Sequence, residues 1–185
     1  KDKSGEEIPI AIGDFFLRAG KYDEAIKWCD EYEASFPAGP LLEQAYFLAS
    51  SAATQSGHTA EAEKRNQKFR EKFPKSSLAG QALFNQAYTS YQKKDYAAAI
   101  SDFREFVKKF PDSEAAENSA FFIGVSLCEL KKWDEAIKEL QAYEKSYPKS
   151  KSLPNALYQL AKAYEEKKDI ANANQIHARV AKEFP

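Results

Sequence analysis

The sequence predicts an all-α protein, a single solenoid of five helix-turn-helix repeats spanning residues 1–185. Three observations predict it. An aromatic-Pro dipeptide recurs every 37 residues, at Phe36-Pro37, Phe73-Pro74, Phe110-Pro111, Tyr147-Pro148 and Phe184-Pro185. Twelve residues before each Pro stands an alanine: Ala25, Ala62, Ala99, Ala136 and Ala173. Twelve before that stands a small residue: Gly13, Ser50, Ala87, Gly124 and Ala161. The units are 1–37, 38–74, 75–111, 112–148 and 149–185. A fixed period in this range marks a stacked array. No strand-like alternation of useful length competes with it.

Each unit reads as two helices. In unit 1 the polar stretch Lys1 to Glu7 is expected to fray, and Pro9 to shorten the first helix. Gly20 and Gly57 mark the break between helices in units 1 and 2. Pro40 and Pro154 fall where a first helical turn tolerates proline. In unit 2, Asn66 interrupts the apolar stripe of the second helix, and in unit 3 Gln86 and Ser90 interrupt the first. Unit 4 gives the clearest pattern. Its first helix runs from about Glu114 to Leu130, with Ala120, Ile123, Gly124 and Leu127 on one stripe. A break follows at Lys131-Lys132, and the second helix starts near Trp133 with Ala136, Ile137, Leu140, Tyr143 and Tyr147 at helical spacing. Pro148 ends it, because proline restricts the residue before it and cannot continue a helix. Ser76, Ser113 and Ser150 share a column after the Pro, placed to cap or turn the chain into the next helix. Unit 5 puts Asn174 and His177 where units 3 and 4 have apolar residues, as a capping repeat would. The small columns suit helix crossings, where a missing side chain lets backbones approach.

These columns resemble the tetratricopeptide repeat. Its small residue, later Ala and terminal Pro fall at the same offsets. Its bulky first-helix sites match Tyr46, Leu83 and Leu157, and also Phe16, Leu127 and Tyr164. The resemblance covers the whole chain and is most evident in units 3 to 5. It implies a right-handed superhelix with first helices lining the concave side. The period exceeds the roughly 34 residues of the standard repeat, and the extra residues fall between the Pro and the next first helix. With Tyr147-Pro148-Lys149-Ser150 followed by Asn155 to Asp169, the chain looks like the bacterial envelope subfamily of the BamD lipoproteins and the Tol-Pal-associated protein CpoB. That resemblance implies a non-enzymatic scaffold of the periplasm or outer membrane, holding a protein or peptide partner. The alternative is a cytoplasmic regulatory or adaptor module cut from a larger protein. The carboxylate-clamp subtype is rejected, because Phe or Tyr occupies its key Lys site.

The candidate partner-binding face lies on the first helices. One column carries Gln44, Gln81, Asn118 and Asn155; three residues on come Phe47, Phe84, Phe121 and Tyr158. Tyr88, Tyr91, Val125 and Lys162 follow on the same helical face. Amides can bond a peptide backbone, and aromatics give area with little loss of entropy. Two readings stand side by side: partner contacts, or packing between repeats. Tyr88 and Tyr91 recur in no other unit, which favours a site-specific role for them.

Composition excludes other classes. The chain has 27 basic and 28 acidic residues, so it lacks the basic excess of a nucleic-acid binder. Unit charges run −4, +1, +3, −4 and +3; the blocks read as solvated outer faces, the alternative being steering of a charged partner. The basic run Lys64, Arg65, Lys68, Arg70 and Lys72 likewise reads as an exposed face. No apolar run is long enough to span a membrane. The chain starts at Lys1 and has no Met; it is expected to be a piece of a longer protein whose missing part holds any targeting signal or lipid anchor. No metal, cofactor or catalytic motif is expected. His58 and His177 lack partner sets, and the pairs Glu165-Glu166 and Asp134-Glu135 read as solvent-facing. Cys29 is expected in the core. Cys128 falls on the candidate face as a possible reactive thiol, and a bond between the two is not expected.

Overall fold

Among the described residues, ten helices account for the 37-residue period, two to each unit. They are α1 (Ser4–Arg18), α2 (Tyr22–Ser35), α3 (Leu42–Ser56), α4 (Thr59–Lys72), α5 (Ala79–Gln92), α6 (Tyr96–Lys109), α7 (Glu114–Glu129), α8 (Trp133–Ser146), α9 (Leu153–Glu166) and α10 (Ile170–Glu183). The computed structural model describes residues 4–184, and no strand occurs among them. Lys1 to Lys3 and Pro185, parts of the expected frayed stretch and of the last aromatic-Pro pair, lie outside the described residues.

The repeated columns are packing positions. Ala25, Ala62, Ala99, Ala136 and Ala173 are fully buried, as are Ser50, Ala87 and Ala161 in the facing column. The crossings are tight. A Cβ added at Gly124 would stand 2.5 Å from Leu140 Cδ2 and 2.8 Å from its Cγ. In units 1 to 4 the aromatic before the Pro has an aromatic partner four residues earlier: Tyr32–Phe36, Phe69–Phe73, Phe106–Phe110 and Tyr143–Tyr147, with ring centroids 5.1–5.6 Å apart. The inner ring of each pair is almost wholly buried. Pro disfavours helical geometry at the residue before it and cannot continue the helix, so the helix stops there and the outer ring folds back on the inner one.

Between helices of a repeat the chain turns through one left-handed residue: Gly20, Gly57, Lys94, Lys131 and Lys168, with φ of 56–77°. All five share one column, glycine in two units and lysine in three. In units 1, 4 and 5 the next N–H reaches back to close the last turn, as in Lys132 N–H to Leu127 O at 2.9 Å. A lysine takes φ > 0 at a cost of roughly 1–2 kcal/mol, which this closing bond helps to offset at Lys131 and Lys168.

The linkers bear out the serine column. Ser76, Ser113 and Ser150 accept the N–H of Leu78, Ala115 and Ser152 at 2.8, 3.3 and 2.9 Å. Ser76 and Ser150 also donate to Glu43 and Glu117 of the preceding repeat's first helix, at 2.6 and 2.5 Å. The extra linker residues therefore tie one repeat to the one before. Gly39 occupies this column in unit 2, and Tyr32 OH takes over, accepting Leu41 N–H at 3.0 Å.

The chain divides into two compact units, Lys1–Lys94 and Asp95–Pro185. In the first, α1, α3 and α5 lie side by side as one layer, and α2 and α4 form the other. Its core gathers Ile10, Cys29, Tyr32, Leu42, Tyr46, Leu48 and Phe69. In the second, α7 and α9 adjoin while α6, α8 and α10 back them, around Phe103, Phe106, Leu127, Leu140, Tyr143, Leu157 and Leu160.

Several expectations change. α1 is not short: it runs 15 residues with Pro9 inside it. The N–H that Pro9 lacks would have bonded the carbonyl of exposed Gly5, one turn from the helix start, where water can replace it. Residues 4–7 are helical, not frayed. Asn66 is fully buried and belongs to a polar cluster. Its Oδ1 accepts from Ser50 Oγ, and its Nδ2 donates to Thr54 Oγ1 and Thr89 Oγ1 at 3.4 Å. The basic helix α4 is not merely a solvated face. The Arg65 side chain is only 19% exposed and grips Asp30 with two hydrogen bonds of 2.8 and 2.9 Å, while Lys68 pairs with Glu33 at 2.9 Å.

Candidate partner-binding face

The face is built by helical period on adjacent helices. On α5, Gln81, Phe84, Tyr88 and Tyr91 fall within an arc of about 80°. Gln44 and Phe47 take the matching places on α3, and Asn85 Nδ2 bonds Ser51 Oγ at 3.0 Å to tie the two helices together. Gln44 and Gln81 are exposed; Phe47, Phe84, Tyr88 and Tyr91 are half-buried. The three α5 rings form a ladder. Phe84 and Tyr88 lie 6.4 Å apart with planes at 4°, and Tyr88 and Tyr91 lie 6.2 Å apart at 20°. Phe47 packs edge-on against Phe69 at 5.8 Å.

In the second unit, Asn118 and Asn155 are exposed, as are Tyr158 and Lys162. Phe121 is half-buried, packed on Phe122 and Tyr143 at 5.6 and 5.9 Å. Val125 is only 7% exposed and packs inward. Cys128 is buried as well, its Sγ 3.9 Å from the Gln159 carbonyl oxygen, and burial pushes its thiol up to about 11. The reactive-thiol expectation is therefore withdrawn. Cys29 is a core residue as expected, its thiol pushed up to about 12 by burial and by Asp30. Both cysteines are free.

The sequence reading missed a set of charged contacts between successive second helices. Asp30–Arg65 and Arg104–Glu139 join the same two columns with the charges exchanged. Glu33–Lys68 and Glu144–Arg179 join another pair of columns. The signal was in the sequence, as opposite charges 35 residues apart. Tyr46 sits among them, with Lys68 and Lys72 over its ring at 4.7 and 4.6 Å and its hydroxyl donating to Glu33. Burial raises the Glu33 pKa, but bonds from Tyr46 and Lys68 outweigh it and hold the carboxyl below its usual value. Asp134-Glu135 and Glu165-Glu166 are exposed, as expected. His177 does have a neighbour: its Nε2 lies 3.1 Å from Glu165 Oε1. No metal-binding group of His, Cys, Asp or Glu occurs among the described residues.

Two tetratricopeptide family models match the chain at residues 10–40 and at 123–150 and 155–185, and the helix pairs agree with them. The chain folds as tetratricopeptide repeats. A model for an outer membrane lipoprotein family, YfiO, matches residues 43–132. No curated protein matches the sequence. Among solved structures, MamA 41-end from Desulfovibrio magneticus RS-1 superposes with a TM-score of 0.81 at 16% identity, covering 98% of this chain and 95% of that one. A putative kinesin light chain of Podosopora anserina with nearly identical TPR-like repeats gives 0.76 at 13%, covering 98% and 95%. At these identities the likeness establishes the tetratricopeptide fold, and no more. That fold is one of interaction scaffolds. No helix among the described residues is long and apolar enough to cross a membrane.

Proposed function

We propose that the chain is a non-enzymatic scaffold of the bacterial cell envelope that holds a peptide or helix of a protein partner on its first-helix face. The observation that carries this is the α3–α5 face: exposed Gln44 and Gln81 beside the parallel rings of Phe84, Tyr88 and Tyr91. Side-chain amides there can bond a partner's polar groups, while rigid rings give contact area at low entropic cost. Asn118, Asn155, Tyr158 and Lys162 on α7 and α9 offer a second stretch of the same kind. The envelope setting is supported by the YfiO match, which spans α3 and α5. The unbroken 37-residue register through Lys94-Asp95 supports reading residues 1–185 as one run of five repeats in the sequence.

The test is substitution of Tyr88 and Tyr91 by Ala, with partner capture from envelope extract and thermal stability measured on the same variants. Lost capture at unchanged stability supports the docking face. Unchanged capture with lost stability makes both tyrosines packing residues and overturns the assignment.

A further inference from the structure

We propose that the α3–α5 face takes an uncharged, proline-containing segment in the polyproline II conformation. This names the partner class and rests on the docking reading above.

Charge carries the first part of the argument. The sequence is 30% charged, yet charge is nearly absent from these two helices. α5 has no Asp, Glu, Lys or Arg, and α3 has only Glu43, which is engaged by Ser76 Oγ at 2.6 Å. The neighbouring α4 carries Glu61, Glu63, Lys64, Arg65, Lys68, Arg70, Glu71 and Lys72. A charged partner residue laid on α3 and α5 would lose water and gain no counter-charge, which is unfavourable. An uncharged segment avoids that loss.

Ring geometry and hydrogen bonding narrow the conformation. The α5 rings repeat at 6.4 and 6.2 Å, and a polyproline II segment advances about 3.1 Å per residue, so two residues span one ring spacing. Proline rings offer flat apolar faces on a chain whose φ is already fixed, so little entropy is lost on docking. A helical partner satisfies its own backbone and gives the Gln44 and Gln81 amides few acceptors. A β-strand needs a sheet edge for its N–H groups, and the two helices supply none. A polyproline II segment has no internal hydrogen bonds, and its prolines have no N–H. Its carbonyl oxygens are the groups that side-chain amide donors can serve.

The experiment is calorimetric titration of the full 185-residue chain with three blocked peptides: an oligoproline, a proline peptide with interspersed Lys or Glu, and an amphipathic helix. The proposal expects the oligoproline to bind, with less than about twofold change in affinity between low and high salt, because no ion pair is screened. It expects Tyr88→Ala and Gln81→Ala each to weaken that binding about fivefold, the scale of one aromatic contact for Tyr88 and of one hydrogen bond for Gln81. Should Tyr88→Ala unfold, the exposed Gln81 carries the test. Tighter binding of a charged peptide, or steep salt dependence, overturns the proposal. Helix binding that depends on Tyr88 while oligoproline fails overturns it and leaves the docking face standing. Failure of all three peptides overturns it too.

Discussion

At the crossing of α7 and α8 a single methyl group decides the fit. Leu140 is 1% exposed, and a Cβ at position 124 would press on both its Cδ2 and its Cγ. Gly124→Ala should therefore cost about 1–3 kcal/mol from overpacking, despite the better helix propensity of alanine. Adding Leu140→Val should recover part of the loss, so that the pair costs less than the sum of the single changes in urea denaturation. Additive costs would mean that the two residues do not press on one another. Glu33 has a different signature. Its carboxyl is held below the ordinary value of 4.5. The stability it contributes is thus fully present above that value and is lost as pH falls through the lower, folded value. Glu33→Gln should flatten the acid limb of the stability–pH curve, and an unchanged limb would show that the Tyr46–Lys68 clasp contributes nothing there.

At the scale of elements, the helices were legible because small residues, alanines and aromatic-Pro pairs recur in one register. The end of each second helix follows from Pro alone, and α7 and α8 fall within a residue or so of where the apolar stripe puts them. What was not legible depends on neighbours one repeat away. Lys131 and Lys168 sit in the left-handed column where the next N–H closes the turn, and Lys94 shares that column; a lysine does not announce this. Asn66 looked like a flaw in an apolar stripe, yet α3 and α5 supply Ser50, Thr54 and Thr89 to meet it. Asn66→Ala should cost about 2 kcal/mol, since Ser50 then loses its side-chain partner in a closed core. Melting of this variant checks it, and a neutral result would mean that the cluster leaves the packing of α3, α4 and α5 unaffected.

At the scale of the whole molecule, ion pairs join successive second helices within each of the two units. In the first unit, α2 and α4 hold the ion pairs that link successive repeats, while α3 and α5 keep the uncharged face. The block charges of the sequence thus include pairing between repeats, rather than solvation alone. The candidate face was legible as columns of amides and rings. The inward turn of Val125 was not, because helical period fixes a direction but not the depth of the neighbouring helix.

The central claim is that partners dock on the first-helix layer, and site-specific photo-crosslinking tests it most directly. A photoreactive residue is placed at exposed Gln44 or Gln81, or at exposed Lys64 on α4, and the chain is irradiated with its partner bound. The account predicts crosslinks from positions 44 and 81 and few from 64. Crosslinks concentrated at 64, with 44 and 81 silent, would contradict it.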